Sequence, residues 1–368
     1  MGRDTEVVRV GVLARANQRG LHVQTMEVAR HLDADVLVVD VPNRSSRRYP
    51  TRSEAFPGAP VVHVGAGWRL PEREVRRWLR GVDVVYSAET AYDASLFRWA
   101  HELGVSVLVA LNPEFVPPPG ERDRQRGWGI FAEDEASMLP AQWWTHTCWR
   151  HSHLPVPTEV VPLPVAADRF TPVGPHDGPC RWLVLNGKTA LADRNGTEAV
   201  LQALPLLREQ CTVTVASQDP LPHIPNLPPW VQLRTVGAQD NYWTVYEGHD
   251  ALVMPRRYGG LCLGVQEAMA AGMAVLMTAC DPNPQTWPVA TVPTHGAVAV
   301  RMPAGMVPVH HVDPVVLSAA MDALADPAER HQWQARSRAW AAANSWSALR
   351  GEYLARFEAL RSTSPAAH

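Results

Sequence analysis

The chain has almost no lysine. Of its 34 basic residues 33 are arginine, and the one lysine is Lys188. An ammonium group kept alone in that background points to a position that needs a compact charge and not a planar fork. Cysteine is also sparse: the five residues at 148, 180, 211, 262 and 280 are odd in number and form no CxxC pair. That excludes a disulfide framework and fits reduced thiols. No stretch reaches about 18 uninterrupted apolar residues, so no membrane-spanning helix is expected. The opening Met1-Gly-Arg-Asp-Thr-Glu6 leads straight into a strand-like run, with no signal peptide visible, and a cytoplasmic location is expected. A formal net charge of −3 supplies no bulk attraction to nucleic acid. Repeats and low-complexity segments are lacking too.

What is present is an α/β alternation, twice over. At 368 residues the chain exceeds one ordinary core, and two domains of roughly 150 to 200 residues are expected. Near-continuous apolar runs read as buried parallel strands at Val7–Ala14, Asp35–Val41, Val61–Gly65, Asp83–Ala88, Ser106–Asn112 and Thr158–Val165. Helical patterns fall at Val23–Leu32, Pro71–Arg80 and Tyr92–Leu103. Prolines at 155, 157, 162, 164, 172, 175 and 179 then make a stiff connector. A second series of strands follows at Arg181–Gly187, Thr212–Ser217, Val231–Val236, Ala251–Met254, Ala274–Thr278 and Ala297–Val300, with helices at Thr197–Glu209, Gln239–Glu247 and Leu263–Ala271. Asp313-Pro314 starts a helix to about Ala325, Pro327 opens another, and Ser345 caps a last one, Trp346 to Leu360. The expected division is residues 1–165, a linker at 166–180, a second domain at 181–345 and a closing helix at 346–362.

The second half centres on Tyr258-Gly-Gly-Leu-Cys-Leu-Gly-Val-Gln-Glu-Ala-Met-Ala-Ala-Gly272, between two apolar runs. It reads as strand, glycine loop, helix, strand. Gly259, Gly260 and Gly264 let the backbone approach a ligand closely, and the helix beginning near Leu263 offers unpaired N–H groups to a phosphate. Glu267, about one turn in, would repel phosphate but accept hydrogen bonds from sugar hydroxyls. A nucleotide with its ribose meets both conditions.

Other residues point to the same strand ends. Gly187-Lys188 closes one strand, and Asp193-Arg-Asn-Gly-Thr197, with Arg194, opens the next helix. Two cations and a set of amides there suit a diphosphate and the charge it gains on leaving. Of Arg256 and Arg257, one reaches phosphate and the other faces water; spacing does not choose between them. Gly20 lies in the first loop, a second strand-to-helix turn of the same kind. Glu89 and Glu114 sit at strand ends of the first half, where a carboxylate orients a hydroxyl or caps a turn. His146, in a segment with His151, His153 and Cys148, packs or touches substrate. Neither that segment nor Asp33-Ala-Asp35 carries the ligand pairs of a metal site, and none is expected. The arginines at 44, 47, 48, 122, 124 and 126 hint at an anionic partner or simply solvate their loops.

With those pieces in hand the chain resembles the retaining, family-four type of GT-B glycosyltransferases. The resemblance runs through Val7–Leu32, Val161-Pro-Leu-Pro-Val-Ala-Ala-Asp-Arg-Phe170, the Asn-Gly-Lys and Arg-Asn-Gly region, Asp250–Pro255 and, most specifically, Gly260–Gly272. It implies two facing Rossmann-like domains with parallel sheets and a C-terminal helix crossing back to the first. It also implies a glycosyltransferase, hexosyl or pentosyl, that takes a nucleotide diphosphate sugar as donor, with no metal or other cofactor, and acts on an acceptor of unidentified class. In the family two glutamates with seven residues between them flank the loop, the second on the ribose and the first on the transferred sugar. Glu267 matches the second, while the first falls on Gly259. The family's basic pair falls near Lys188 and Asn195, with Arg194 in place of the latter. The resemblance thus marks Lys188 and Glu267 as catalytic, and Gly20, Arg194, Arg256, Gly259, Gly260, Leu261 and Cys262 as donor-binding. A non-catalytic nucleotide-sugar binder or partner subunit, and a sugar-nucleotide epimerase, are the competing readings.

Overall fold

A computed structural model describes residues 7–16, 20–41, 53–65, 69–89, 91–112, 139–148, 158–186, 193–217, 221, 225–237, 239, 241–302 and 305–363. Lys188, Glu114, His151, His153 and the arginines at 44, 47, 48, 122, 124 and 126 lie outside the described residues.

The first sheet has seven parallel strands, β1 (Val10–Ala14), β2 (Asp35–Asp40), β3 (Val61–His63), β4 (Val84–Ala88), β5 (Ser106–Leu111), β6 (Gln142–Thr145) and β7 (Glu159–Val160), in the order β3-β2-β1-β4-β5-β6-β7. Helices α1 (Gly20–Leu32), α2 (Glu72–Leu79) and α3 (Ser95–Glu102) connect them. Every residue of β1, β4 and β5 is buried, which is why these strands read as apolar runs and not as alternations. Strand β6 was not expected from the sequence. Its Trp144 is fully buried against Tyr353 and Phe357, at ring separations of 5.4 and 5.8 Å. That tryptophan packs the core.

The second sheet has six parallel strands, β8 (Cys180–Leu185), β9 (Cys211–Ala216), β10 (Val231–Val236), β11 (Ala251–Met254), β12 (Ala274–Thr278) and β13 (Ala290–Val292), in the order β10-β9-β8-β11-β12-β13. Helices α4 (Thr197–Ala203), α5 (Leu263–Ala270), the short α6 (Asn283–Thr286), α7 (Pro314–Ala325) and α8 (Pro327–Ala343) belong to this half. Asp313 caps α7 through the Val315 amide at 2.8 Å, as its sequence predicts.

Two expectations fail here. The run Ala297–Val300 is not a strand of the parallel sheet; it starts an antiparallel hairpin, β14 (Ala297–Met302) with β15 (Gly305–His310). The sixth parallel strand is β13, three residues long and stopped by Pro293, too short to show as a periodic run. The helix expected over Gln239–Glu247 is a 3₁₀ turn, Tyr242–Tyr246. Its aromatic and β-branched residues are poor helix formers, and the Thr244 hydroxyl donates to the Asn241 carbonyl at 2.8 Å, competing with the helical pattern.

The last helix, α9 (Trp346–Thr363), crosses to the first domain. Trp346, Tyr353, Phe357 and Leu360 are buried in the core beneath β1, β4 and β5. The Tyr353 hydroxyl donates to the Pro162 carbonyl at 2.6 Å, and Ser106 donates to the Leu360 carbonyl at 2.9 Å. In each sheet the strand order reverses once, between β1 and β4 and between β8 and β11. Ligands of open α/β sheets bind beyond the carboxyl ends at that reversal.

Candidate functional site

At the reversal of the second sheet, β8 ends at Leu185 with Asn186 beyond it, and β11 ends at Met254 with Pro255-Arg256 beyond it. Two contacts fasten the loops beyond these two strands to each other, and a third ties the turn opening α4 back to β8. Arg257 N–H donates to the Arg194 carbonyl at 2.9 Å. Asn195 donates to the Leu185 carbonyl at 2.9 Å. Gly196, at φ 72°, lies so close to Pro255 that a Cβ would stand 2.2 Å from its carbonyl oxygen. The turn opening α4 is therefore tied to the loop opening α5, as expected of two ligand loops at one sheet edge.

The two helix starts are not equivalent. Both carboxylate oxygens of Asp193 accept amides of α4, Thr197 N–H at 2.9 Å and Glu198 N–H at 2.9 Å, so that end is already capped. Cys262, the residue ahead of α5, makes no side-chain cap; its carbonyl takes the Val265 and Gln266 amides, and among the described residues the Leu263 and Gly264 amides are the ones left for a ligand.

Arg256 is buried and does not reach outward. Its Nε donates to the Tyr258 carbonyl at 3.0 Å and its guanidinium to the Leu261 carbonyl at 3.4 Å, while Thr278 and Cys280 donate to its own carbonyl. It ties up the loop's carbonyls. Arg257 turns to the hairpin, donating to the His310 carbonyl at 3.1 Å. Arg194 lies over the Tyr258 ring, its guanidinium carbon 5.2 Å from the ring centre.

Gly259, where the resemblance puts a glutamate, is walled in. A Cβ there would stand 2.4 Å from Pro282 Cδ and 2.8 Å from the Asp281 carbonyl. Gly260 follows at φ 141°. Leu261 and Leu263 reach across and pack on the first domain's core, and Cys262 is buried with its thiol 3.4 Å from the Met254 sulfur. Leu261 and Leu263 thus stand between the first domain and this loop. Open volume lies beside it, a cleft of about 460 Å³ between α1 and the carboxyl ends of β8, β9 and β10, lined among others by His22, Arg169, Asn186, Ser217 and Trp243. Val23 and Tyr242 border both this cleft and a small void at Glu267.

Glu267 is buried and accepts the hydroxyl of Tyr246. Burial pushes its pKa up to about 7; the Tyr246 bond pulls it down and the Glu27 charge adds to the rise. Glu27 comes from α1 and pairs with Arg169 of the linker, Oε1 to Nε at 2.6 Å. Arg169 in turn lies 4.7 Å over the Trp243 ring. Tyr246, Glu27 and Arg169 were not legible as site residues, because each acts through partners distant in sequence.

On the first-domain side, Gly20 opens α1 opposite α5. A Cβ on Gly20 would meet Leu263 at 3.7 Å, ordinary contact. Gly20→Ala is therefore expected to leave ligand affinity within about twofold of wild type and to raise stability by a few tenths of a kcal/mol, measured by calorimetric titration and thermal melting. His22 faces the cleft; burial lowers its pKa, against the Arg15 carbonyl and the Glu27 charge, so it is a neutral imidazole at pH 7. Glu89 directly follows β4 at φ 69°, with Tyr92 at φ 63°. Two non-glycine residues in that region at a sheet's carboxyl edge mark stored strain. His146 is buried, with Nδ1 on the Val161 carbonyl at 2.7 Å and Nε2 on the Tyr86 hydroxyl at 2.9 Å; Tyr86 also accepts Gln24 at 2.8 Å. Burial lowers its pKa to about 4. Both ring nitrogens are used inside the protein, so His146 reaches the seam only through Tyr86 and Gln24. Among the described residues no group of three metal-ligating side chains converges, and no helix is long and apolar enough to cross a membrane.

Residues 182–299 match the family described as Glycosyl transferases group 1. No curated protein matches the chain in sequence. Among solved structures the chain is similar to Anabaena HepE in complex with UDP and glucose, at 10% identity and TM-score 0.63, over 96% of this chain and all of that one. It is also similar to sucrose-phosphate synthase from Thermosynechococcus elongatus, at 15% identity and TM-score 0.61, over 97% of this chain and all of that one. A UDP-forming α,α-trehalose-phosphate synthase from Burkholderia xenovorans follows at 13% identity and TM-score 0.55, over 96% of this chain and 99% of that one. These likenesses carry the fold, which is GT-B.

Proposed function

We propose that the protein is a glycosyltransferase that moves a sugar from a nucleotide diphosphate sugar to an acceptor, with retention, without a metal, and in the cytoplasm. One observation carries this reading: a buried carboxylate, Glu267, stands one turn inside the uncapped start of α5, at a sheet reversal, within the segment that matches Glycosyl transferases group 1. The nucleoside occupies the cleft over β8–β10, its ribose reaches Glu267, and the diphosphate lies toward the first amides of α5. Glu267 then accepts ribose hydroxyls. Lys188 and Arg194 meet the charge that develops on the departing diphosphate. The proton of the acceptor passes to a phosphate oxygen on the face the diphosphate leaves. Relatives in structure that were solved with UDP or UDP-glucose make a uridine donor the first to try.

Calorimetric titration of nucleoside diphosphates tests the site. Glu267→Ala and Lys188→Ala are each expected to weaken the best binder about tenfold, or about 1.4 kcal/mol. Unchanged affinity in both variants rules the site out.

The packing of Pro282 against Gly259 favours one second reading, a nucleotide-sugar binder that does not turn over. Incubation with a donor panel separates the two. A transferase hydrolyses or exchanges some donor slowly in the absence of acceptor, and a binder leaves every donor intact.

A further inference from the structure

The seam between the domains holds two buried carboxylates, one from each side, and one short element serves both. Tyr246 donates its hydroxyl to Glu267 Oε2. Tyr242, four residues earlier in the same 3₁₀ turn, lies with Glu27 and Glu267 on the void they share. Around Glu267 the titratable and charged groups are Glu27 from α1, Arg169 from the linker behind it, Tyr242 and Tyr246 from the turn, and Cys262 beside Tyr246. Glu27 already answers Arg169 at 2.6 Å. Among the described residues Tyr246 is the donor that Glu267 has.

We propose that Tyr246 is a positioning residue of the nucleotide site: its hydroxyl fixes the rotamer of Glu267 by occupying Oε2 and leaves Oε1 for a ribose hydroxyl. The inference rests on the reading of Glu267 given above. A fully buried carboxylate without a donor takes up a proton and becomes a poor acceptor for two hydroxyls. The Tyr246 bond opposes that, and the charge of Glu27 promotes it. Tyr246 itself stays protonated, because burial and the Glu267 charge push its pKa well up. Its ring is held independently by Phe170, edge-on at 5.5 Å, so removing only the hydroxyl leaves the packing in place.

The test is the pH dependence of donor binding by the full chain. The probe is whichever of UDP-glucose, GDP-glucose and ADP-glucose binds wild type best, since their diphosphates carry no group that titrates between about pH 5 and about pH 9. Wild-type affinity is expected to rise with pH through neutrality as Glu267 ionises. Tyr246→Phe is expected to bind about tenfold more weakly at pH 7, the size of one lost hydrogen bond to a charged group, to move the midpoint to higher pH, and to recover most of the deficit at about pH 9. Glu27→Gln is expected to move the midpoint the other way. A merely structural role for either residue does not displace the two midpoints in opposite directions. Unmoved midpoints, or midpoints moving together, overturn the positioning role while the nucleotide site stands. If no probe binds wild type, it is the reading of the site that fails.

Discussion

Gly259→Glu, the change that places a glutamate where the glycosyltransferases the chain resembles carry their first one, is expected to destabilise the second domain and to add no transfer activity. The physical reason lies in the loop after β12. A Cβ at position 259 stands 2.4 Å from Pro282 Cδ and 2.8 Å from the Asp281 carbonyl oxygen, and neither neighbour is the free end of a flexible side chain. Pro282 is a ring and Asp281 O is backbone, so relief requires the 280–286 segment to move. That segment is anchored, since the Asn283 amide side chain donates to the Thr278 carbonyl at 3.0 Å and Cys280 bonds back to the Arg256 carbonyl. Overpacking of this kind costs about 3 kcal/mol at the upper end of its usual range, or roughly 6 to 12 °C in Tm for a domain of this size. Thermal melting of Gly259→Ala and Gly259→Glu checks it, both being expected to melt well below wild type. A glutamate variant that melts with wild type and transfers faster would show instead that the position is an eroded catalytic site.

The difference between Gly259 and Glu267 shows what was legible in the sequence. Glu267 was readable because its helix, its spacing from the glycines and the strands on either side are local features. The missing side chain at 259 was readable as well. That Pro282 and Asp281 fill the space was not, because a close approach between two loops leaves no periodic trace. The same holds for Tyr246 and Glu27, whose contacts with Glu267 and Arg169 exist only once the sheets face each other. Strands β1, β4, β5, β8, β11 and β12 were plain as apolar runs because both sheet faces are covered. By contrast β6, β13 and the turn at Tyr242–Tyr246 were missed or mistyped, being short or set by packing and not by propensity. For the phosphate ligands, sequence reasoning left Arg256 and Arg257 equal. Geometry bonds both inside the protein, Arg256 on the loop's own carbonyls and Arg257 on the hairpin.

Asp250→Ala is expected to lower stability by about 3 kcal/mol, the low end for breaking a buried ion pair, although Asp250 touches no proposed ligand. It immediately precedes β11, the strand that delivers the glycine loop, and its carboxylate is fully buried. It accepts the Arg181 amide at 2.8 Å, Arg181 Nε at 2.9 Å and the Arg181 guanidinium at 2.7 Å, with His176 Nε2 at 2.8 Å on the same carboxylate. Removing the carboxylate strands those donors. Arg181 keeps 41% of its side-chain surface in water and rehydrates in part, which is why the low end of the range applies. The pH dependence follows the same contacts. Burial raises the Asp250 pKa, but the bonds from Arg181 and His176 outweigh it, and the net shift is downward. A carboxylate whose pKa falls on folding contributes its full stabilisation above the unfolded value of about 4 and loses it as acid carries the pH down through the folded value. Wild type should therefore lose stability more steeply than Asp250→Asn below about pH 4. Chemical denaturation from neutral pH downward is the measurement, and parallel curves for the two proteins would mean that the pairing contributes nothing to holding β11 in place.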